Sequence, residues 1–257
     1  MERLGKVCLP YHTLQNGTQQ RLTLLLLGRN RCGGGTAGVE TQRVLPPSKT
    51  RRPELVDKLK SEVNGDITSR QCDVSNAAEV KATFKWIEDT FGGVDVLVNN
   101  AGVFHDGNIT DLANKKISDD DFFATVDINV KGTFMCTRLA LDSMTKRGFN
   151  GHIIHINSVA GHYIPAHTGF NVYPASKHAI TAFTQSLLNE LAHMKSKIKV
   201  TSISPGLVRT AMAGAHGAGR PALHAADVAD TVLYVLSTPP HVNISELTVS
   251  AVMDARL

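Results

Sequence analysis

Tyr173 and Lys177 stand four residues apart in YPASK, Ser158 lies fifteen residues upstream, and residues 99–102 read NNAG. A free phenol ionises near 10 and is a poor acid or base at neutral pH. A separation of four puts both side chains on one face of a helix. An ammonium beside the phenol then favours the phenolate, which makes tyrosine usable for proton transfer. Each residue alone has a structural alternative: a packed tyrosine, a capping serine, or in the case of Asn129 a mid-helix asparagine facing solvent. Their joint occurrence outweighs those alternatives.

These groups need a scaffold, and the sequence supplies one in alternating segments. Ile180, Phe183, Leu187, Leu191 and Met194 follow Lys177 at helical spacing, so YPASK opens an amphipathic helix. Val94 to Val98 is a short apolar strand running into NNAG, a small-residue turn at a strand's carboxyl end. Gly151 to Ile156 is a strand ending at Asn157-Ser158, and Lys199 to Ile203 is another, running into Pro205-Gly206.

Between these lie helical patterns. Val80, Phe84, Ile87 and Phe91 form one, stopped by Gly92-Gly93. Ser118 with Asp119, Asp120 and Asp121 starts another in the manner of a capping box, continuing to Gly148. Asp227 starts a last helix through Leu236, and Leu247 to Val249 is a closing strand. Upstream, Leu55, Leu59 and Val63 mark a short helix, and Ile67 to Val74 a strand. From Glu54 onward the alternation predicts an α/β fold with a doubly wound parallel sheet covered on both faces.

Composition narrows the function. The chain of 257 residues fits one domain. Of its 27 Lys and Arg and 23 Asp and Glu, residues 1–53 hold 9 basic and 2 acidic, leaving 18 against 21 for the rest. The body is therefore slightly acidic and its leader basic, which argues against nucleic acid as a partner. Cys8, Cys32, Cys72 and Cys136 form no CxxC pair, so neither a disulfide framework nor a metal site is expected, and a reduced, cytoplasmic setting fits. Apolar runs such as Leu24 to Leu27 are far too short for a membrane helix.

Residues 1–53 break the regularity. Leu22 to Leu27 can form a strand, and GRNRCGGG after it, with Gly28, Gly33 and Gly35, imitates a phosphate loop. The stretch Thr36 to Pro53 has no helical period and contains Pro46-Pro47, so no helix follows to aim its amino end at a pyrophosphate.

YPASK, INS ending at Ser158, NNAG, CDV at 72–74, INVKG around Asn129 and SPG at 204–206 occur in the order used by short-chain dehydrogenases/reductases, and the chain resembles that family over residues 54–257. Within it the resemblance is to the branch containing farnesol dehydrogenase and dehydrogenase/reductase family member eleven. It rests on GHIIHINSVAGH, TAFTQSLLNEL, VTSISPGLVRT and VLYVLSTPPHVNISELTV. The resemblance implies a Rossmann-like fold and hydride transfer with NADP, or alternatively NAD, between an alcohol and a carbonyl on a hydrophobic small molecule of isoprenoid, retinoid or steroid type. It implies a tetrad of Asn129, Ser158, Tyr173 and Lys177. Tyr173 exchanges the proton, Ser158 holds the substrate oxygen, Lys177 binds the nicotinamide ribose and lowers the phenol's pKa, and Asn129 disturbs its helix to hold a water. It places Asp73 and Val74 at the adenine, Asn100, Ala101 and Gly102 along the ribose and phosphate path, and Leu207, Val208 and Thr210 beside the nicotinamide. A homodimer or homotetramer through helices at about 118–147 and 174–195 is implied as well.

Two departures qualify the expectation. The TGxxxGIG loop, its helix and the next strand are absent in recognisable form, which opens a rival reading: a cofactor-impaired binding module without activity. The stretch 211–226, AMAGAHGAGRPALHAA, is short and rich in small residues, which predicts an open pocket that His105, His162 or His167 can approach. Arg29, Arg31, Arg51 and Arg52 are candidates for a 2′-phosphate contact. The abrupt change of charge and period before Glu54 reads as a substituted segment, from an altered reading frame or a misassigned exon. Transcript sequencing checks this: the expected result is a message that does not encode residues 8–53 in this frame.

Overall fold

The computed structural model describes residues 70–112, 115–166, 169–214 and 219–254. The segment 1–53, the pattern at Leu55 to Val63, Cys8, Cys32, the four candidate arginines and His167 lie outside the described residues.

Among the described residues, four parallel strands run in the order β1 (Val96–Asn99), β2 (His152–Ile156), β3 (Lys199–Pro205) and β4 (Glu246–Val249). Parallel pairing requires crossover connections, and helices supply them between successive strands. Register places Leu97 beside Ile153 and Ile153 beside Val200, and one residue along it places Val98 beside Ile154. Because side chains alternate, those rows face opposite sides of the sheet. Leu97, Ile153 and Val200 join the core under α1 (Ala77–Phe91), α3 (Thr133–Lys146) and α4 (Tyr173–His193). Val96, Val98, Ile154 and Ile203 pack beneath α5 (Ala225–Leu236). Helices on both faces make the sheet doubly wound, as the alternation predicts.

The helices start where capping chemistry allows. Asn76 accepts from the amides of Ala78 and Glu79, and Gly92, at φ 79°, ends α1 in the left-handed region that glycine adopts freely. Ser118 Oγ accepts from Asp121 N at 3.1 Å and starts α2 (Asp119–Val126). The last helix begins at Ala225, with Asp227 accepting from the amide of His224 at 2.7 Å. Asp227 is thus the far half of a capping box rather than the first helical residue.

Two expectations need correction. The helix expected from Ser118 to Gly148 is not uniform: Asp127–Gly132 is a π-turn between α2 and α3. Residues 70–74, the described part of the expected strand from Ile67, carry no strand. Asp73 Oδ1 accepts from Ser75 N and Ser75 Oγ at 2.9 and 2.7 Å, and its amide donates to Glu79 Oε2. These bonds make a turn into α1, and a turn takes the groups a ladder would need.

Asp95 and Val94 are tied to α3 by Arg147, which reaches Asp95 Oδ1 at 2.8 Å and also the carbonyl of Val94. Gly151 lies under the same junction, where a Cβ would strike the Asp95 carbonyl and come within 2.7 Å of Met144 Sδ. Gly151→Ala is therefore expected to cost about 1–3 kcal/mol of stability, read by chemical denaturation.

Candidate active site

The carboxyl ends of β1, β2 and β3 open into a cavity of about 580 Å³, within the size range of small-molecule sites. Asn100 and Gly102 line it after β1, Ser158 after β2, Leu207, Val208 and Thr210 after β3, and Tyr173 and Lys177 from the first turns of α4. Phe104, Phe170 and Met212 line an apolar side, and the cavity continues along Val228, Val232 and Leu236 of α5.

Ser158 sits where the extended chain turns into Val159–Gly161, and its Oγ accepts from Ala160 N at 3.1 Å. Its hydroxyl also bonds Tyr173. Tyr173 is the first residue of α4, and Pro174 behind it fits that position because the missing N–H has no helical partner there. The ring of Phe104 meets Tyr173 edge-on, with centroids 5.3 Å apart.

Lys177 is 7% exposed, and its Nζ donates to the carbonyl of Ile156 at 3.0 Å. Burial pulls its pKa down to about 8. The ammonium lies 5.8 Å from the centre of the Tyr173 ring. One expectation fails: the Tyr173 pKa is not lowered by Lys177 but raised. Burial pushes it up, and the Ser158 hydrogen bond opposes this only in part. The ammonium is held at a backbone carbonyl, and it is desolvation that disfavours the phenol's anion.

Asn129 does not line the cavity. Its Oδ1 accepts from Val103 N at 2.8 Å, and its Nδ2 donates to Val103 O at 3.0 Å and to Ser176 Oγ at 3.1 Å. It sits inside the π-turn and clamps the loop after NNAG to α4. Gly102 lies above this clamp; a Cβ there would stand 3.5 Å from Asn129 Oδ1 and 4.0 Å from Lys177 Nζ. The remaining named residues lie outside the cavity: Val74 is buried against Gly132, Ala101 packs on the core, and Asp73 serves the turn described above. His105 pairs with Asp121 at 3.5 Å, and His162 Nε2 stands 2.9 Å from Ser204 Oγ and 3.3 Å from Glu246.

Asn171 is a positioning residue that spacing does not reveal. At φ 40° its Nδ2 donates to the carbonyls of His105, Gly107 and Gly169 at 2.7–3.0 Å, while Oδ1 accepts from Val172 N. It fastens the loop after β1 to the start of α4. The only signal for it is that asparagine tolerates the left-handed region better than most residues.

Comparison with known proteins gives the family. The short chain dehydrogenase family model matches residues 37–220, and the chain belongs to that oxidoreductase family. It is 44% identical over 208 residues to a farnesol dehydrogenase of Aedes aegypti, covering 79% of this chain and 83% of that one. It is 36% identical over 214 residues to dehydrogenase/reductase SDR family member 11 of Gallus gallus, covering 77% and 82%. The closed form of serine dehydrogenase complexed with NADP+ superposes with a TM-score of 0.68 at 32% identity, covering 80% of this chain and 84% of that one. Among the described residues no helix is long and apolar enough to cross a membrane, and no group of His, Cys, Asp or Glu has metal-site geometry.

Burying a cation costs stability in the folded state. With a folded pKa of about 8 against 10.5, the unfolded chain binds more protons between those values, so stability rises as pH climbs from 8 to 10.5 and is at its lowest below 8. Lys177→Met is expected to raise stability at pH 7 by about 1–3 kcal/mol and to flatten that rise, read by denaturation at several pH values.

Proposed function

We propose that this protein interconverts an alcohol and a carbonyl on a hydrophobic small molecule with NADP(H). The observation that carries the reading is the convergence of Ser158, Tyr173 and Lys177 on one cavity at the carboxyl ends of parallel strands. The groups present fit the nicotinamide-ribose end of a dinucleotide, since Gly102 and Lys177 line the cavity together and Leu207, Val208 and Thr210 wall it beyond them. When bound, the nicotinamide supplies or accepts the hydride.

The chain's own residues do the rest. Ser158 holds the substrate oxygen by a hydrogen bond, and Tyr173 gives that oxygen its proton in reduction or removes it in oxidation. Burial holds the phenol protonated, which is the form that donates to a carbonyl oxygen. Lys177 holds the ribose and keeps a positive charge beside the reacting oxygen below about pH 8. Asn129 fixes the loop that Gly102 and Val103 form over Lys177. Asn100, Ala101 and Gly102 are assigned to the ribose and phosphate path, with Asp73 and Val74 at the adenine end, where Val74 lies beside Asn100 and Ala101. Phe104, Phe170 and Met212 suit an isoprenoid-like substrate, and farnesol dehydrogenase among the relatives supports that class. NADP is preferred because a similar structure holds it. A homodimer or homotetramer through α2–α3 and α4 is part of the same reading.

A second reading rests on the missing TGxxxGIG pattern: a binding module that no longer holds the nucleotide. Titrating the protein into NADPH and following nucleotide fluorescence separates the two. Saturable binding is expected, with turnover of a generic dicarbonyl that falls above about pH 8 and drops by ~10³-fold in Tyr173→Phe. A folded sample that binds no NADPH supports the module instead.

A further inference from the structure

A chain of buried polar side chains crosses the core between the NNAG turn and α4. Asn99, Thr137, His155 and Thr184 are 9%, 0%, 1% and 2% exposed. Thr184 Oγ1 donates to the carbonyl of Ile180 at 2.7 Å, so its single proton is engaged. His155 Nδ1, at 2.8 Å from that oxygen, must therefore carry a proton and donate to it. Burial, with Lys177 as the charged neighbour acting on the ring, holds the His155 pKa down to about 4, so the imidazole is neutral and its Nε2 accepts. Thr137 Oγ1, 3.2 Å away, is the donor to Nε2, and its oxygen accepts from Asn99 Nδ2 at 2.9 Å. Every proton in the series has one direction, running Asn99, Thr137, His155, Thr184, Ile180.

The ends of this series matter. Asn99 is the last residue of β1 and the first of NNAG, and Asn99 and His155 are register partners across the sheet. Ile156, next after His155, supplies the carbonyl that holds Lys177 Nζ. Phe183 of α4 stacks on the His155 ring, with centroids 5.8 Å apart. We propose that Thr137 and His155 are positioning residues: their one-way hydrogen-bond series sets the NNAG backbone at a fixed place relative to Lys177 on α4. The catalytic consequence rests on the hydride-transfer reading, whereas the positioning itself does not.

The test compares Thr137→Val, which keeps the shape and removes the hydroxyl, with Thr137→Ser, which keeps the hydroxyl. Hydrogen exchange of the amides at 99–103 is expected to speed up on the order of tenfold in Thr137→Val and to return to the wild-type rate in Thr137→Ser. Affinity for NADPH should weaken about fivefold, the worth of one net hydrogen bond, and kcat should fall while KM for the carbonyl compound holds. Unchanged exchange in folded Thr137→Val overturns the proposal. Imidazole nitrogen NMR on the unmodified chain is a second check that needs no variant: proton on Nδ1 of His155 is expected, and a proton on Nε2 alone overturns the series. Wild-type protein that binds no NADPH would sink the hydride-transfer reading, and exchange and tautomer then decide the positioning claim alone.

Discussion

The bond from Lys177 Nζ to the carbonyl of Ile156 is the constraint around which the site is arranged. An ammonium removed from water is tolerated only with oxygen partners, and a strand end is where a backbone carbonyl can be spared from the sheet ladder. Placing Lys177 one turn into α4 brings it to the end of β2, which in turn requires α4 to cross the sheet at that level. Tyr173, one turn earlier, then overhangs the cavity beside Ser158. The geometry of three reactive groups follows from one cation's need for an acceptor.

The same bond explains why Lys177 and Tyr173 divide their roles. With the ammonium committed to Ile156, the phenol stays neutral behind its own desolvation, and the cation is left poised about one pH unit above neutrality. A protonated phenol hydrogen-bonded to a serine is a donor held ready, which is the form that reduction of a carbonyl uses. The stability lost by burying Lys177 is offset by the apolar core that Leu97, Ile153 and Val200 help to build elsewhere in the domain.

Elements with a strong period were legible in the sequence. The helix after YPASK, the strands ahead of NNAG and Ser158, and the glycine stop at Gly92 all follow from apolar spacing and turn chemistry, and the structure has each of them within a few residues. Residues that act through space were not. His155 reads as one more residue in a strand, and only the threonines of α3 and α4, 18 and 29 positions away, explain a histidine in the core. Asn171 reads as a loop residue until its φ of 40° and three carbonyl partners are known. The direction of the phenol's shift is not legible in spacing, which says that two side chains share a face, not where a flexible lysine points its charge.

The π-turn at Asp127–Gly132 joins the legible and illegible parts. A regular helix from Ser118 to Lys146 would satisfy its own amides but would carry Asn129 past Val103. One wider turn shifts the register of everything before it and costs some hydrogen-bond quality. In return Asn129 matches both backbone groups of Val103, which lie in a loop with no ladder of their own. Gly132 completes the exchange, because Val74 packs where its Cβ would lie. The irregular helix thus holds the loop above Lys177 while the buried series through His155 holds the strand end below it, so the NNAG backbone is fixed from both sides of the cation.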